Sequence, residues 1–194
     1  MVPKSPYVVL VNDLPTTRRF QVTPERVSEW LKGHPMREAL GTPEVDPDAG
    51  HGTTDLDLYY EGNHVFASGD FKGEVTVACS RCVGPAKLPI EEKLHVTFLP
   101  ANEMPSDDKD DADEDGAEVT SDDLDLFAYD GEKVDLEPLF REQFVLAVPF
   151  APLCREDCKG LCPHCGIDRN TGTCTCEEPI DPRLVGLKGL KIPS

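Results

Sequence analysis

Eight cysteines fall into four close pairs, Cys79 with Cys82, Cys154 with Cys158, Cys162 with Cys165 and Cys174 with Cys176, and no other feature limits the fold as tightly. What such pairs mean depends on compartment. The opening Met1-Val2-Pro3-Lys4-Ser5-Pro6 lacks the continuous apolar core of a signal peptide, and no run approaches the ~18 to 20 apolar residues that span a bilayer. The chain therefore reads as cytoplasmic, where thiols stay reduced and clustered cysteines point to metal rather than to disulfides.

The segment Cys162-Pro163-His164-Cys165-Gly166 has the form of a zinc knuckle, two thiolates three residues apart with a glycine that permits the tight turn bringing amides toward sulfur. Cys174-Thr175-Cys176 follows across a turn-rich Asn170-Thr171-Gly172-Thr173, so Cys162, Cys165, Cys174 and Cys176 can meet around one tetrahedral structural zinc at about 2.3 Å. Cys79, Cys82, Cys154 and Cys158 make a second four-sulfur site arithmetically available, which would staple the central strands to the C-terminal segment. A C-x₃-C pair suits one turn of helix rather than a knuckle, and a mixed site of Cys79, Cys82, Cys162 and Cys165 is the rival. Spacing leaves the pairing open.

Buried free thiols and disulfides are the structural alternatives, although Cys174 and Cys176 stand too close for an ordinary disulfide. A thioredoxin-like role would need a cysteine pair at a helix start in a βαβ pattern, which neither C-x-x-C pair has. A catalytic zinc would need an open coordination position and a base. His164 is the one histidine nearby and reads as a solvent-facing loop residue, while His34, His51, His64 and His95 are scattered without a nucleophile or paired acid. The sequence thus carries no catalytic constellation, no calcium-binding loop and no phosphate-cradling glycine loop.

Charge is strongly one-sided, with 19 Lys and Arg against 37 Asp and Glu, a net −18. Residues 101–125 hold twelve acids and one lysine, so −11 of that charge is local, and the stretch reads as a solvated, disordered insertion. An acidic chain repels phosphate backbones unless its few cations cluster, and from residue 154 onward six cations balance six acids.

Three regions are expected: an N-terminal strand and helix region over 1–54, an antiparallel sheet with a core helix over 55–150, and a cysteine-rich zinc-binding segment with a tail over 151–194. A short apolar run covers 7–11, a helix capped by Thr23 with Pro24 in its first turn covers 23–32, and 33–52 reads as loop. Period-two alternation then runs from 55 to 98, broken by turn chemistry at Glu61-Gly62-Asn63 and Gly69-Asp70, which predicts three or four strands in one meander. Residues 135–147 place Leu136, Leu139, Phe140, Phe144 and Leu146 on one face of a core helix, with Asp135 as its cap. The fold class is α+β, a small antiparallel sheet with a packed helix, a C-terminal zinc knuckle and many loops.

Taken together, Val77-Ala78-Cys79-Ser80-Arg81-Cys82 before a strand, the run from Leu153 through Cys154, Cys158 and Cys162 to Gly166, and Asp181-Pro182-Arg183-Leu184 with Leu187 resemble the YceD family, a bacterial and plastid group once filed as a domain of unknown function. The resemblance spans residues 56–190. It implies a role in accumulation of the large-subunit ribosomal RNA and a genetic setting beside a large-subunit ribosomal protein. The matching positions are Cys79, Arg81, Cys82, Cys154, Cys158, Cys162 and Cys165, and since the family does not keep all of these cysteines, metal would support the fold rather than perform chemistry.

The expectation is a non-enzymatic ribosome-biogenesis factor with no membrane and no small-molecule substrate. Arg81, Arg155, Lys159 and Arg169 around the cysteines would meet RNA, joined by Arg183, Lys188 and Lys191. The competing route is an acidic partner or chaperone that shields a basic ribosomal protein, which the net charge favours. A zinc- or thiol-dependent enzyme is the third reading.

Overall fold

Alternating burial shapes the centre of the molecule: in β3 (Gly50–Glu61) Leu56 and Leu58 are buried between exposed Asp55, Asp57 and Tyr59. The computed structural model describes residues 5–41, 48–104 and 126–176. A two-residue turn at Gly62-Asn63, with Gly62 at φ 66°, joins β3 to β4 (His64–Ala78), which pairs in turn with β5 (Pro85–Pro100). The expected meander is there, its strands 12, 15 and 16 residues long. Outside it lie β2 (Thr16–Val22), antiparallel to β3, and β6 (Leu126–Tyr129), parallel to β5, giving a five-stranded sheet in the order β2-β3-β4-β5-β6.

The apolar face of this sheet is covered by α1 (Pro24–Trp30) and α3 (Glu137–Leu146), with β1 (Val8–Leu10) and β7 (Lys133–Asp135) forming a small antiparallel pair beside them. Aromatic rings fill the seam. Phe140 meets Tyr7 edge-on at 5.2 Å, Phe144 meets Phe71 edge-on at 5.7 Å, and Trp30 lies 5.8 Å from Phe144. The N-cap of α3 is Leu136 and not the expected Asp135, which stands one residue earlier yet still accepts the Glu137 amide at 3.0 Å, and Trp30 Nε1 donates to Glu137 Oε1 at 3.1 Å, tying α1 to α3. The class is α+β.

Other local readings need correction. Gly69 and Asp70 make no turn but sit inside β4, because Gly69 faces Leu56 where a Cβ would run into the Asp55 carbonyl oxygen of the crossing strand. Residues 33–52 are not all loop, since α2 (Pro35–Glu38) follows α1 and β3 begins at Gly50. Strand β2 was hidden by Arg18 and Arg19, which leave only Phe20 and Val22 buried. Strands β6 and β7 are too short for a periodic signal and exist by pairing with β5 and β1. Of the expected disordered insertion over 101–125, residues 101–104 instead form a turn after β5, where the Ala101 amide donates to the Tyr129 carbonyl at 3.2 Å, while residues 105–125 and the tail residues Arg183, Lys188 and Lys191 lie outside the described residues. Among the described residues no helix is long and apolar enough to cross a membrane.

The close crossing of β3 and β4 at Gly69 gives a direct expectation. Gly69→Val forces a branched side chain against backbone that cannot yield, and urea unfolding of the variant is expected to show a loss of about 1–3 kcal/mol. An unchanged midpoint would mean that the strands part more easily than the register implies.

Candidate metal centres

The β4 to β5 hairpin ends in the loop 79–84, and its backbone hydrogen bonds match those of the second C-x-x-C turn bond for bond. Cys79 donates its amide to the Gly84 carbonyl at 2.8 Å while Val83 donates to Cys79 at 2.9 Å. Cys162 likewise donates to Ile167 at 2.8 Å and receives the Gly166 amide at 2.9 Å. The residue after the second cysteine has positive φ in both, 61° at Val83 and 72° at Gly166. Both are knuckles. Gly166 made the second one legible in sequence, whereas a β-branched residue in the left-handed region concealed the first.

The C-terminal segment is laid against the first knuckle by main-chain pairing. Ser80 donates to the Pro152 carbonyl at 2.8 Å, Leu161 donates to Arg81 at 3.0 Å, and the Arg81 guanidinium reaches the Cys158 carbonyl at 2.9 Å. Gly160, at φ 71°, lets the chain pass where a Cβ would come 2.8 Å from the Arg81 oxygen. This docking brings Cys154 to Cys82 and Cys158 to Cys79, each pair with 3.7 Å between sulfurs. Cys79, Ala86 and Cys158 form a small buried cluster, with Cys82 and Leu153 packed on it, apart from the main core.

Among the described residues the sulfurs gather into two quartets, Cys79 with Cys82, Cys154 and Cys158, and Cys162 with Cys165, Cys174 and Cys176. Within each quartet all four ligand atoms lie within 4.8 Å of one another. The mixed set of Cys79, Cys82, Cys162 and Cys165 is not brought together. All eight thiols are free. The geometry suits a tetrahedral ion, because ligands about 2.3 Å from a centre stand about 3.8 Å apart. A disulfide needs sulfurs at about 2.05 Å, far inside the spacing seen.

Electrostatics within the quartets point the same way. Burial raises the Cys79 thiol, but amides of Cys154, Cys82 and Arg81 outweigh it and bring the group down to about 6. Amides of Cys165 and His164 lower Cys162 to about 6, against the effect of burial. The partners move the other way: burial and the neighbouring thiols Cys158, Cys82 and Cys79 push Cys154 up to about 12. Cys176 rises to about 12 through Cys165, burial and Cys162. Sulfurs this close cannot all carry charge without a cation among them, and a divalent ion would remove that conflict.

Asn170 escaped the sequence reading except as a turn residue. Its side-chain amide donates to Cys158 Sγ at 3.4 Å and its Oδ1 accepts the Lys159 amide at 2.8 Å, so a residue of the second loop completes the surroundings of the first quartet. Nothing in its type or spacing announces this contact, which exists only because the segments fold back on each other.

The expected RNA contacts, Arg81, Arg155, Lys159 and Arg169, all lie on backbone around the first quartet and its junction with the second, with Arg169 donating its amide to the Gly160 carbonyl at 2.9 Å. Arg81 is held by Cys158, and Arg155 sits 3.3 Å from the Asp157 carboxylate. Lys159 and Arg169 are exposed, as is His164, which belongs to neither quartet.

The paired knuckles supply a reciprocal test. Gly166→Val is expected to lower thermal stability by about 1–2 kcal/mol, while Val83→Gly, relieving the left-handed backbone, loses none. Equal losses for both would show that Val83 is not strained.

The family model of the large ribosomal RNA subunit accumulation protein YceD matches residues 67–191. Uncharacterised proteins of Mycobacterium bovis and Mycobacterium tuberculosis are 31% identical over 155 residues, covering 79% of this chain and 68% of theirs. A maize protein named large ribosomal RNA subunit accumulation protein YCED homolog 1, chloroplastic, is 30% identical over 135 residues, covering 60% of this chain and 45% of that protein. No solved structure matches. The family match reaches from near the start of β4 across both cysteine quartets, and this chain belongs to the YceD family.

Proposed function

We propose that this chain is a non-enzymatic ribosome-biogenesis factor that supports accumulation of the large-subunit ribosomal RNA, with each cysteine quartet holding a structural zinc ion. The family description and the maize relative's name carry the RNA role. The geometry carries the structural character of the metal: each quartet offers four sulfurs to one tetrahedral ion, leaving no position for a reactive water. Soft thiolate ligands with no carboxylate or imidazole favour zinc over harder cations. When bound, such an ion supplies a fixed crosslink and charge neutralisation.

The first quartet joins residues 72 and 79 positions apart, so an ion there would clamp the C-terminal segment to the sheet. That clamp would fix Arg155, Lys159 and Arg169 on one surface, interspersed with Glu156, Asp157 and Asp168, on a chain of net −18. The second reading, an acidic partner for a basic ribosomal protein, is favoured by that net charge and by Arg81 and Arg155 being already engaged within the fold. In either case the site of action is proposed to be cytoplasmic, while the maize relative carries a plastid name.

Elemental analysis of untagged protein should find two zinc per chain, falling to one in Cys82→Ser; metal-free protein that keeps its fold would remove the structural-zinc reading. Gel shifts with large-subunit RNA between about 50 and 200 mM salt should show affinity that falls with salt, and a shallower slope when Arg155, Lys159 and Arg169 are changed to Ala. Salt-independent or absent RNA binding, alongside tight capture of a basic large-subunit ribosomal protein, would replace the RNA surface with the acidic-partner reading. Cells lacking the protein should show a lowered ratio of large- to small-subunit RNA, and an unchanged ratio would sink both.

A further inference from the structure

Among the described residues, one side chain of the second quartet's loop reaches a sulfur of the first. Asn170 stands in the loop between Cys165 and Cys174, and its Nδ2 donates to Cys158 Sγ, a sulfur of the other quartet, at 3.4 Å. Its Oδ1 accepts the Lys159 amide at 2.8 Å, so one carboxamide grips both the sulfur and the backbone just after it. Asn170 is itself held in place: the Asp168 carboxylate accepts its Nδ2 at 2.7 Å and its backbone amide at 2.8 Å. Asp168 lies opposite Leu161 in an isolated antiparallel bridge, next to the Cys162 to Ile167 hydrogen bond that closes the second knuckle. The position of Asn170 therefore depends on the shape of the 162–176 loop, which the second quartet pins.

We infer that Asn170 couples the two quartets into one two-metal unit, so that each is filled more readily when the other is already filled. The inference rests on the metal reading above and deepens it. A ligating sulfur carries negative charge, and an amide donor aimed at it lowers the cost of that charge in a buried place. Cys158 is buried, with limited access to water as an alternative donor. Closing the loop around the second quartet delivers the donor to Cys158. By reciprocity, a filled first quartet fixes Cys158 and Lys159 as partners for Asn170 and so favours the closed loop. Asn170 is a positioning residue here, since it touches sulfur and not the metal site itself.

The test uses metal-free full-length protein with cobalt(II) as the probe. Half a complement of cobalt is added, and native mass spectrometry counts chains carrying no ion, one ion and two ions. Wild type is expected to show few one-ion chains. Asn170→Asp keeps an acceptor for the Lys159 amide but removes both Nδ2 donations, to sulfur and to Asp168, and should raise the ratio of one-ion to two-ion chains about tenfold or more. The sulfur-to-cobalt absorption of the first quartet should shift in the same variant, a change that a loop-tying role alone would not produce. Asn170→Ala, which removes all three side-chain contacts, should show at least as large a loss of coupling, whereas Asp168→Ala, which loosens the loop but leaves the Asn170 donor, should keep the wild-type absorption, and a shift there would make the loop tie and not the donor the cause.

Two ions per chain with the same one-ion fraction and the same absorption in wild type and Asn170→Asp would overturn the coupling and leave the metal reading standing. No cobalt uptake by wild type would remove both.

Discussion

Four thiols held within a few ångströms cannot ionise together unless a cation shares their space, and that constraint organises the C-terminal half of this molecule. Each quartet contains one sulfur whose surroundings favour the thiolate and another held strongly protonated by its neighbours. Such a split is costly to maintain among sulfurs this close and is relieved by one divalent ion. Backbone pairing lays the two parts of the first quartet together: the hairpin loop 79–84 receives the segment 152–161 through the Ser80, Arg81 and Leu161 main chain.

The sheet and the cysteine module divide the work. The main core, built from the buried face of β2 to β5 and the aromatic side chains of α1 and α3, includes no cysteine, and Cys79, Ala86 and Cys158 form a separate small cluster. Long strands make this division effective. β4 and β5 stay paired from Val65 with Phe98 to Ala78 with Pro85, so the hairpin carries its loop just past Val77, the last β4 residue in the main core, while Arg37 of α2 braces it by donating to the Thr76 carbonyl at 2.9 Å. The knuckle at its end receives residues 152–161, and with them Arg155 and Lys159, beside a small cluster separate from the main core.

Similar backbone ladders in two turns of different sequence show how local chemistry and context share responsibility. Gly166 adopts its positive φ at little cost, and Val83 adopts nearly the same conformation although its branched side chain disfavours it. The hairpin and the docked segment hold Val83 there. A reading based on residue type finds the first kind of turn and passes over the second.

Sequence by itself determined the periodic and the covalently close features. Alternation from Leu56 to Phe98 marked the meander, the apolar face from Leu136 to Phe144 marked α3, and four cysteines within fifteen residues could reach one another across a short loop whatever the rest did. Tertiary structure alone decided what depends on distant chain: the glycine of β4 that reads as a turn but answers the backbone of β3, the short strand β6 that exists only along β5, the meeting of Cys79 and Cys82 with Cys154 and Cys158, and the reach of Asn170 to sulfur. The physical reason is range. Periodicity and short loops are encoded in neighbours along the chain, whereas a contact across 72 residues is fixed by the register of strands and by backbone hydrogen bonds, which no single residue type reports.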